Sequence, residues 1–169
     1  MTMIRTARPD DLPRLGAIEV SAAQRSIGTP MAFAAGHPPS PIDALEAALA
    51  KGALWVETDA DEVPQGLVLG EAVDGWFHII EISVAMAAQG SGHGAALLAA
   101  VAASAPRLRC DRLSLTTDRD IAFNGPRYRR HGFAEIAAAE APDWLAAIPA
   151  REAASGLDPA RRAIMVRRL

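Results

Sequence analysis

A glycine-rich stretch in the middle of the chain has the residue types needed to hold a phosphate group. Three glycines alternate with Ser91 and His93 after an apolar run that ends at Met86; they are Gly90, Gly92 and Gly94. The Ala-rich segment that follows predicts a helix, so the glycines form a turn between a strand and a helix N-terminus. Backbone N–H groups there lack intrahelical partners and carry the positive end of the helix dipole. Since glycines let phosphate oxygens approach this backbone, the stretch predicts a diphosphate cradle.

Three phosphate-binding patterns were compared with this turn. A P-loop is excluded because no lysine follows the glycines. The dinucleotide pattern G-x-G-x-x-G/A is matched by Gly90, Gly92 and Ala95, with Asp118 at the end of the next predicted strand. That pattern normally opens its domain, however, whereas here about half of the chain precedes it. The third pattern, the acyl-CoA loop Gln/Arg-x-x-Gly-x-Gly/Ala, is satisfied in full from Gln89 onward.

A second block of residues that could take part in catalysis or ligand binding lies between Asn124 and Phe133. It contains Tyr128, the only tyrosine of the chain. Together with the glycine turn, this block resembles the GNAT superfamily of N-acyltransferases. The spacing between the two blocks leaves room for one helix, one strand and a second short helix, as in that family. The resemblance is weak in 19–40 and 137–160, where acceptor specificity usually resides in the family.

The resemblance implies transfer of an acetyl group from acetyl-CoA by direct attack, which needs no enzyme nucleophile. The diphosphate would bind the loop, and the pantetheine arm would lie where two strands separate. The residues implied to bind acetyl-CoA are Val84, Ala85, Met86, Gln89, Gly90, Ser91, Gly92, His93, Gly94 and Asn124. Tyr128 falls on the family's general-acid position, and a phenol stays protonated near neutral pH while able to donate to the leaving thiolate. The alternative for Tyr128 is a core residue that packs on Phe133.

The strand before the loop carries two candidates for the base that deprotonates the amine, His78 and Glu81. They are three residues apart, so on a regular strand they face opposite sides unless a bulge intervenes. Regular alternation places on one face Trp76, His78, Ile80, Ile82, Val84 and Met86. A lone carboxylate on this apolar strand is costly without a purpose or a partner, which makes Glu81 the predicted base or amine anchor. The alternatives are a salt-bridged structural Glu81 and, for His78, a half-exposed surface histidine.

Length and composition predict a single domain over residues 1–169. Half of the residues are hydrophobic (50%), the formal charge is −3 and no basic run dominates, which argues against nucleic acid as a partner. The lone cysteine, Cys110, excludes an intramolecular disulfide and a cysteine-built zinc site, and we expect no metal. We further expect a cytoplasmic monomer or homodimer without membrane contact, which accepts a small-molecule or peptide amine.

The order of the predicted elements indicates an α+β fold of the GNAT type. Antiparallel hairpins come first and a βαβ unit follows. The expected architecture is a mixed, mostly antiparallel central sheet of six to seven strands, with helices on both faces and a splayed strand pair. The predicted elements are strands at 3–6, 53–58, 65–71, 76–86 and 112–117, and helices from Pro9, at 41–51, at 92–105 and after Asn124.

The sequence therefore predicts an acetyl-CoA-dependent N-acetyltransferase that acts on a primary amine. Two other classes remain open. One is a non-catalytic acyl-CoA-binding regulatory domain, against which the intact Tyr128 argues. The other is a dinucleotide-binding oxidoreductase that would use Gly90, Gly92 and Ala95.

Overall fold

A seven-stranded mixed sheet forms the centre of the protein in a computed structural model that describes residues 3–169. The strands lie in the order β1-β2-β3-β4-β5-β7-β6, and every neighbouring pair is antiparallel except β4 with β5. This confirms the predicted α+β sheet. The strands are β1 (Met3–Thr6), β2 (Leu54–Thr58), β3 (Pro64–Val73), β4 (Trp76–Val84), β5 (Arg112–Asp118), β6 (Ala134–Ile136) and β7 (Arg162–Arg168).

Helices cover both faces of the sheet. The helix α1 packs on β3 and β4, and α3 packs on β2 and β3 from the opposite side. The apolar stripe of α1, formed by Leu12, Leu15 and Ile18, is buried against the sheet as its helical spacing requires. The helices are α1 (Leu12–Ala23), α2 (Ile42–Ala50), α3 (His93–Ser104), α4 (Gly125–Arg130), α5 (Asp143–Ala146) and α6 (Ile148–Glu152). Within residues 3–169, none is long and apolar enough to cross a membrane.

The strands β4 and β5 pair over a short distance and then separate. Their parallel register includes only three residue pairs, from Trp76 with Arg112 to His78 with Ser114. Beyond these pairs β4 continues to Val84 beside β3, and β5 continues beside β7. The opening lies between two central strands of the sheet. The predicted splayed strand pair is thus present.

A β-bulge in β4 changes which side chains face this opening. The register pairs Gly70 with Ile79 and Leu69 with Glu81, which leaves Ile80 as an extra residue. Because cross-strand partners share a face, one extra residue reverses the alternation that follows it. The predicted alternation is therefore wrong beyond Ile79. One face carries Trp76, His78, Glu81 and Ser83, and the other carries Phe77, Ile79, Ile82 and Val84.

The bulge lies opposite Gly70, where a side chain has no room. A Cβ at this position would lie 2.6 Å from the His78 carbonyl oxygen and would overlap the buried Phe77 ring. We expect Gly70→Ala to lower the free energy of unfolding by about 1–3 kcal/mol, because neither backbone nor a packed ring can move aside easily. Urea unfolding measures the loss. Gly36→Ala is the matched control, since nothing lies within 4 Å of an added Cβ there; equal losses in the two variants would contradict the explanation.

Candidate active site

A cleft of about 1250 Å³ begins where β4 and β5 separate. The glycine loop and the start of α3 border one part of it, and α1 borders another. Residues 24–40, which we call the covering segment, pass over the cleft without adding a strand to the sheet. The covering segment contacts the opposite wall where the Arg25 guanidinium carbon lies 4.4 Å from the centre of the Phe123 ring.

The glycine loop presents a run of free backbone N–H groups at the border of the cleft. Gly90 and Gly92 have φ angles of 86° and 87°, in the left-handed region that glycine adopts without strain. The helix α3 then begins at His93. Among residues 3–169, the N–H groups from Gly90 to Gly94 have no hydrogen-bond acceptor. Five adjacent free amides at a helix N-terminus are suited to bind an anion.

Two of the residues predicted to bind acetyl-CoA, Gln89 and Asn124, have side chains that contact the protein. The Gln89 Nε2 donates to the Val84 carbonyl oxygen at 2.9 Å, and the Asn124 Nδ2 lies 3.9 Å from the Met31 sulfur. Gln89 therefore fixes the shape of the loop. Asn124 lines the cleft and contacts the covering segment.

The backbone N–H groups that follow β4 already have hydrogen-bond acceptors within the protein. The Ala85 N–H donates to the Gln65 carbonyl oxygen at 2.8 Å, and the Met86 N–H donates to the Ser21 hydroxyl at 3.0 Å. The family resemblance implies that both residues bind acetyl-CoA. Because both amides already have acceptors, the free backbone edge of β4 lies upstream, where the strand no longer pairs with β5.

Arg127 lies against the glycine loop, a placement that the sequence did not predict. A Cβ at Gly94 would overlap the Arg127 guanidinium, which therefore lies at the first turn of α3. Burial and the charge of Arg127 lower the pKa of Arg25, so the two cations are close. Within the described chain neither has a carboxylate partner, whereas Arg129 is paired with Glu135 at 3.0 Å. Two unpaired guanidinium groups make this end of the cleft strongly positive.

Glu81 and Tyr128 line the same part of the cleft. The Glu81 Oε1 accepts a hydrogen bond of 2.6 Å from the Ser83 hydroxyl. Burial raises the pKa of Glu81, and the nearby Glu19 carboxylate raises it further. Burial, with a smaller contribution from the Glu81 charge, raises the pKa of Tyr128 to about 12. The Tyr128 ring packs edge-on against Phe133, while its hydroxyl has no hydrogen bond to any described residue. The structure thus brings together a basic carboxylate and a neutral phenol.

Glu19, to which the sequence assigns no role, is a second carboxylate in the cleft. It is 9% exposed, and its Oε2 accepts hydrogen bonds from the Ser40 N–H and hydroxyl at 2.8 and 3.1 Å. Its Oε1 is buried and has no partner among residues 3–169. Burial raises the pKa of Glu19. A buried carboxylate oxygen without a partner is suited to a cationic ligand.

His78, the other candidate base, is buried rather than half-exposed, so that prediction is wrong. Its side chain is outside the cleft, with Nδ1 3.0 Å from the Ser114 hydroxyl and the ring edge-on to Trp144. Trp144 belongs to α5, in a region whose structure the sequence left open. Burial lowers the pKa of His78 to about 4. His78 is therefore a neutral structural residue at neutral pH.

The low pKa of His78 makes stability depend on pH. In the unfolded chain a histidine binds a proton near pH ~6.5, whereas folded His78 binds it only near 4. Between these values the unfolded state holds more protons, so stability falls as the pH falls. We expect His78→Gln to lose less stability than wild type from pH 7 to 5, by about 2 kcal/mol. Urea unfolding at both pH values tests this. His37→Gln, at an exposed histidine, should keep the wild-type loss; identical losses in wild type and His78→Gln would contradict the assignment.

A family model, described as the acetyltransferase (GNAT) family, matches residues 21–133. The fold and the loop geometry agree with this match, and the chain belongs to the acetyltransferase (GNAT) family.

Several solved structures have the same fold. N-acetylglutamate synthase from Neisseria gonorrhoeae, in complex with coenzyme A and N-acetyl-glutamate, superposes with a TM-score of 0.75 at 20% identity; the match covers 100% of this chain but only 35% of the synthase. PaiA N-acetyltransferase from Thermoplasma acidophilum, in complex with coenzyme A, gives 0.71 at 11% identity and covers 100% and 99% of the two chains. A Mycobacterium tuberculosis protein in complex with CoA gives 0.69 at 19% identity, with 99% of each chain covered.

Proposed function

We propose that this protein transfers an acetyl group from acetyl-CoA to a primary amine, by direct attack in a ternary complex. One observation carries the proposal. Free amides of the glycine loop border the same cleft in which Glu81 and Tyr128 meet, where β4 and β5 separate. Acetyl-CoA can therefore be held by its diphosphate at one end of the cleft, while its thioester reaches an acid and a base at the other end.

The positive end of the cleft suits CoA. The amides from Gly90 to Gly94 would bind the diphosphate, with the α3 dipole behind them and the Arg127 guanidinium beside them. The pantetheine arm carries amides in an extended chain, so it can hydrogen bond to the unpaired edge of β4 as an added strand does. A free N–H on this edge can also stabilise the charge that develops on the thioester oxygen. Asn124 lines the path of the arm.

The acidic part of the cleft suits the acceptor. A primary amine with a pKa of ~10 arrives as an ammonium ion, and the Glu19 and Glu81 carboxylates would stabilise that charge. The raised pKa of Glu81 makes it a better proton acceptor than an ordinary carboxylate, directly or through a water molecule. Glu81 is therefore the proposed base, and Glu19 the proposed amine anchor.

Tyr128 is the proposed general acid. As the amine attacks, the thioester C–S bond breaks and negative charge builds on the sulfur of CoA. With its pKa raised to about 12, the phenol is fully protonated at neutral pH, and its hydroxyl is free to donate. Glu81 first takes a proton from the ammonium ion, which frees the amine to form the C–N bond. As the C–S bond breaks, Tyr128 gives its proton to the sulfur. The second proton of the nitrogen then passes to the tyrosinate, which restores the phenol, and Glu81 releases its proton to solvent.

Release of free thiol from acetyl-CoA in the presence of an amine panel tests the proposal. The panel comprises amino acids, polyamines, aminoglycosides and peptides with a free N-terminus, with their N-methylated analogues as controls. We expect acetyl-CoA, and not NAD(H), to raise the melting temperature, because ligands that bind the folded state stabilise it. Stabilisation by NAD(H) alone would instead support a dinucleotide-binding protein. Stabilisation by acetyl-CoA without thiol release from any amine would support a regulatory domain.

Removal of the phenol hydroxyl should slow the reaction without weakening CoA binding. We expect Tyr128→Phe to lower kcat by about 10²-fold or more, the range for loss of a general acid. The dissociation constant of CoA should stay within about twofold, since the ring and its packing on Phe133 are retained. Steady-state kinetics and calorimetric titration give the two values. Wild-type turnover in Tyr128→Phe would remove the acid assignment.

The pH dependence of the rate should report Glu81. The base acts only when ionised, so kcat/KM should fall as the pH falls through its pKa, which burial raises above the usual carboxyl range. We expect Glu81→Gln to lower kcat/KM and to remove this acidic limb. Glu46→Gln, an exposed glutamate on α2, should keep both the rate and the limb. An unchanged acidic limb in Glu81→Gln would assign the base to another group.

A further inference from the structure

A buried carboxylate lies directly beneath the glycine loop. Glu57 is part of β2, and its side chain is 1% exposed. Its Oε1 lies 2.9 Å from the Nδ1 of His93, the first residue of α3. Burial raises the pKa of Glu57, and the adjacent His93 opposes that rise. The two side chains therefore connect the sheet to the residue at which the phosphate cradle begins.

Glu57 has little else to compensate for its burial. In the described chain, neither carboxylate oxygen accepts a hydrogen bond of good geometry, although Oε1 is within ion-pair distance of His93. Its neighbour in sequence, Val56, and its partner across the sheet, Gly66, are both buried. An apolar residue in such a place is often as stable as an ion pair. The carboxylate is thus better explained by what it does to His93 than by a gain in stability.

The Glu57 carboxyl fixes how the His93 ring is oriented at the start of α3. Its Oε1 lies 2.9 Å from Nδ1, so that nitrogen is turned towards the sheet. With Nδ1 directed at Glu57, the nitrogen left for a ligand is Nε2. The His93 side chain is 17% exposed and lines the cleft, so a ligand can reach it.

We propose that His93 binds the diphosphate of CoA through Nε2, and that Glu57 is the positioning residue that orients the ring. The proposal rests on the proposed function, since it requires CoA in the cleft. It adds a second side chain to a cradle formed by backbone amides and Arg127. The imidazole ring would lie between Glu57 on the sheet side and a phosphate on the cleft side.

Calorimetric titration of three ligands tests the proposal: CoA, 3′-dephospho-CoA and pantetheine, which lacks phosphate. We expect Glu57→Gln and His93→Gln each to weaken the binding of CoA and of 3′-dephospho-CoA about tenfold, the scale of one charge-assisted hydrogen bond. Pantetheine binding should change less than about twofold. The double variant should bind CoA about as weakly as either single variant, because the two residues act as one unit. Glu46→Gln, at an exposed glutamate of α2 outside the cleft, should bind all three ligands like wild type.

The outcomes separate this inference from the proposed function. Failure of the wild type to bind CoA would overturn both. Wild-type binding of CoA with an unaffected His93→Gln would overturn only the role of His93, and a tenfold loss confined to CoA would assign the ring to the 3′-phosphate instead. An effect of His93→Gln without one of Glu57→Gln would overturn the positioning role. A uniform loss for all three ligands, pantetheine included, would indicate a structural role only. Should Glu57→Gln fail to fold, His93→Gln, at a partly exposed side chain, still decides whether the ring binds the diphosphate.

Discussion

The strands β4 and β5 remain paired for only three residue pairs, and the cleft depends on their separation beyond that point. The separation is possible because each strand has another partner on its outer side: β4 pairs with β3 to its end, and β5 pairs with β7 along its whole length. Only the two facing edges lose their hydrogen bonds. Unpaired backbone groups are costly when buried but not when water or a ligand can satisfy them. An opened central sheet is therefore stable and also prepared to accept an extended, amide-bearing chain.

Charge divides the cleft in a way that the net charge of the protein does not reveal. The chain as a whole is acidic, at −3, yet the loop end combines free amides with the unpaired Arg25 and Arg127. The part of the cleft proposed for the acceptor has the opposite character, since it contains the Glu19 and Glu81 carboxyls. Burial raises the pKa of both, and the charge of Glu19 raises that of Glu81 further. Complementary fields of this kind orient ligands before contact. A polyanionic donor and a cationic acceptor would thus be drawn to opposite ends and meet between β4 and β5.

The local sequence was enough to predict the glycine loop, but not on which face of β4 each side chain lies. The glycine turn, the α3 start and the splayed strands follow from short-range pattern and family resemblance, and all three are present. The bulge at Ile80 could not be predicted, because it depends on the register with β3 and on the room left by Gly70. It places Glu81 on the face of His78. The burial of His78 likewise depends on Trp144, which lies far along the chain in a segment without periodicity. The sequence did not predict the position of Arg127, because its contact with Gly94 arises only when the chain folds.

The covering segment is attached to the opposite wall by few and adaptable contacts. They include a cation–π contact of 4.4 Å between Arg25 and Phe123, and a weak amide–sulfur contact of 3.9 Å between Asn124 and Met31. No ladder of the sheet passes through residues 24–40. Changes in the length and composition of this stretch can therefore leave the glycine loop and the separated strands intact. Under the function proposed above, a fold divided in this way could keep one acyl donor while its acceptor changes.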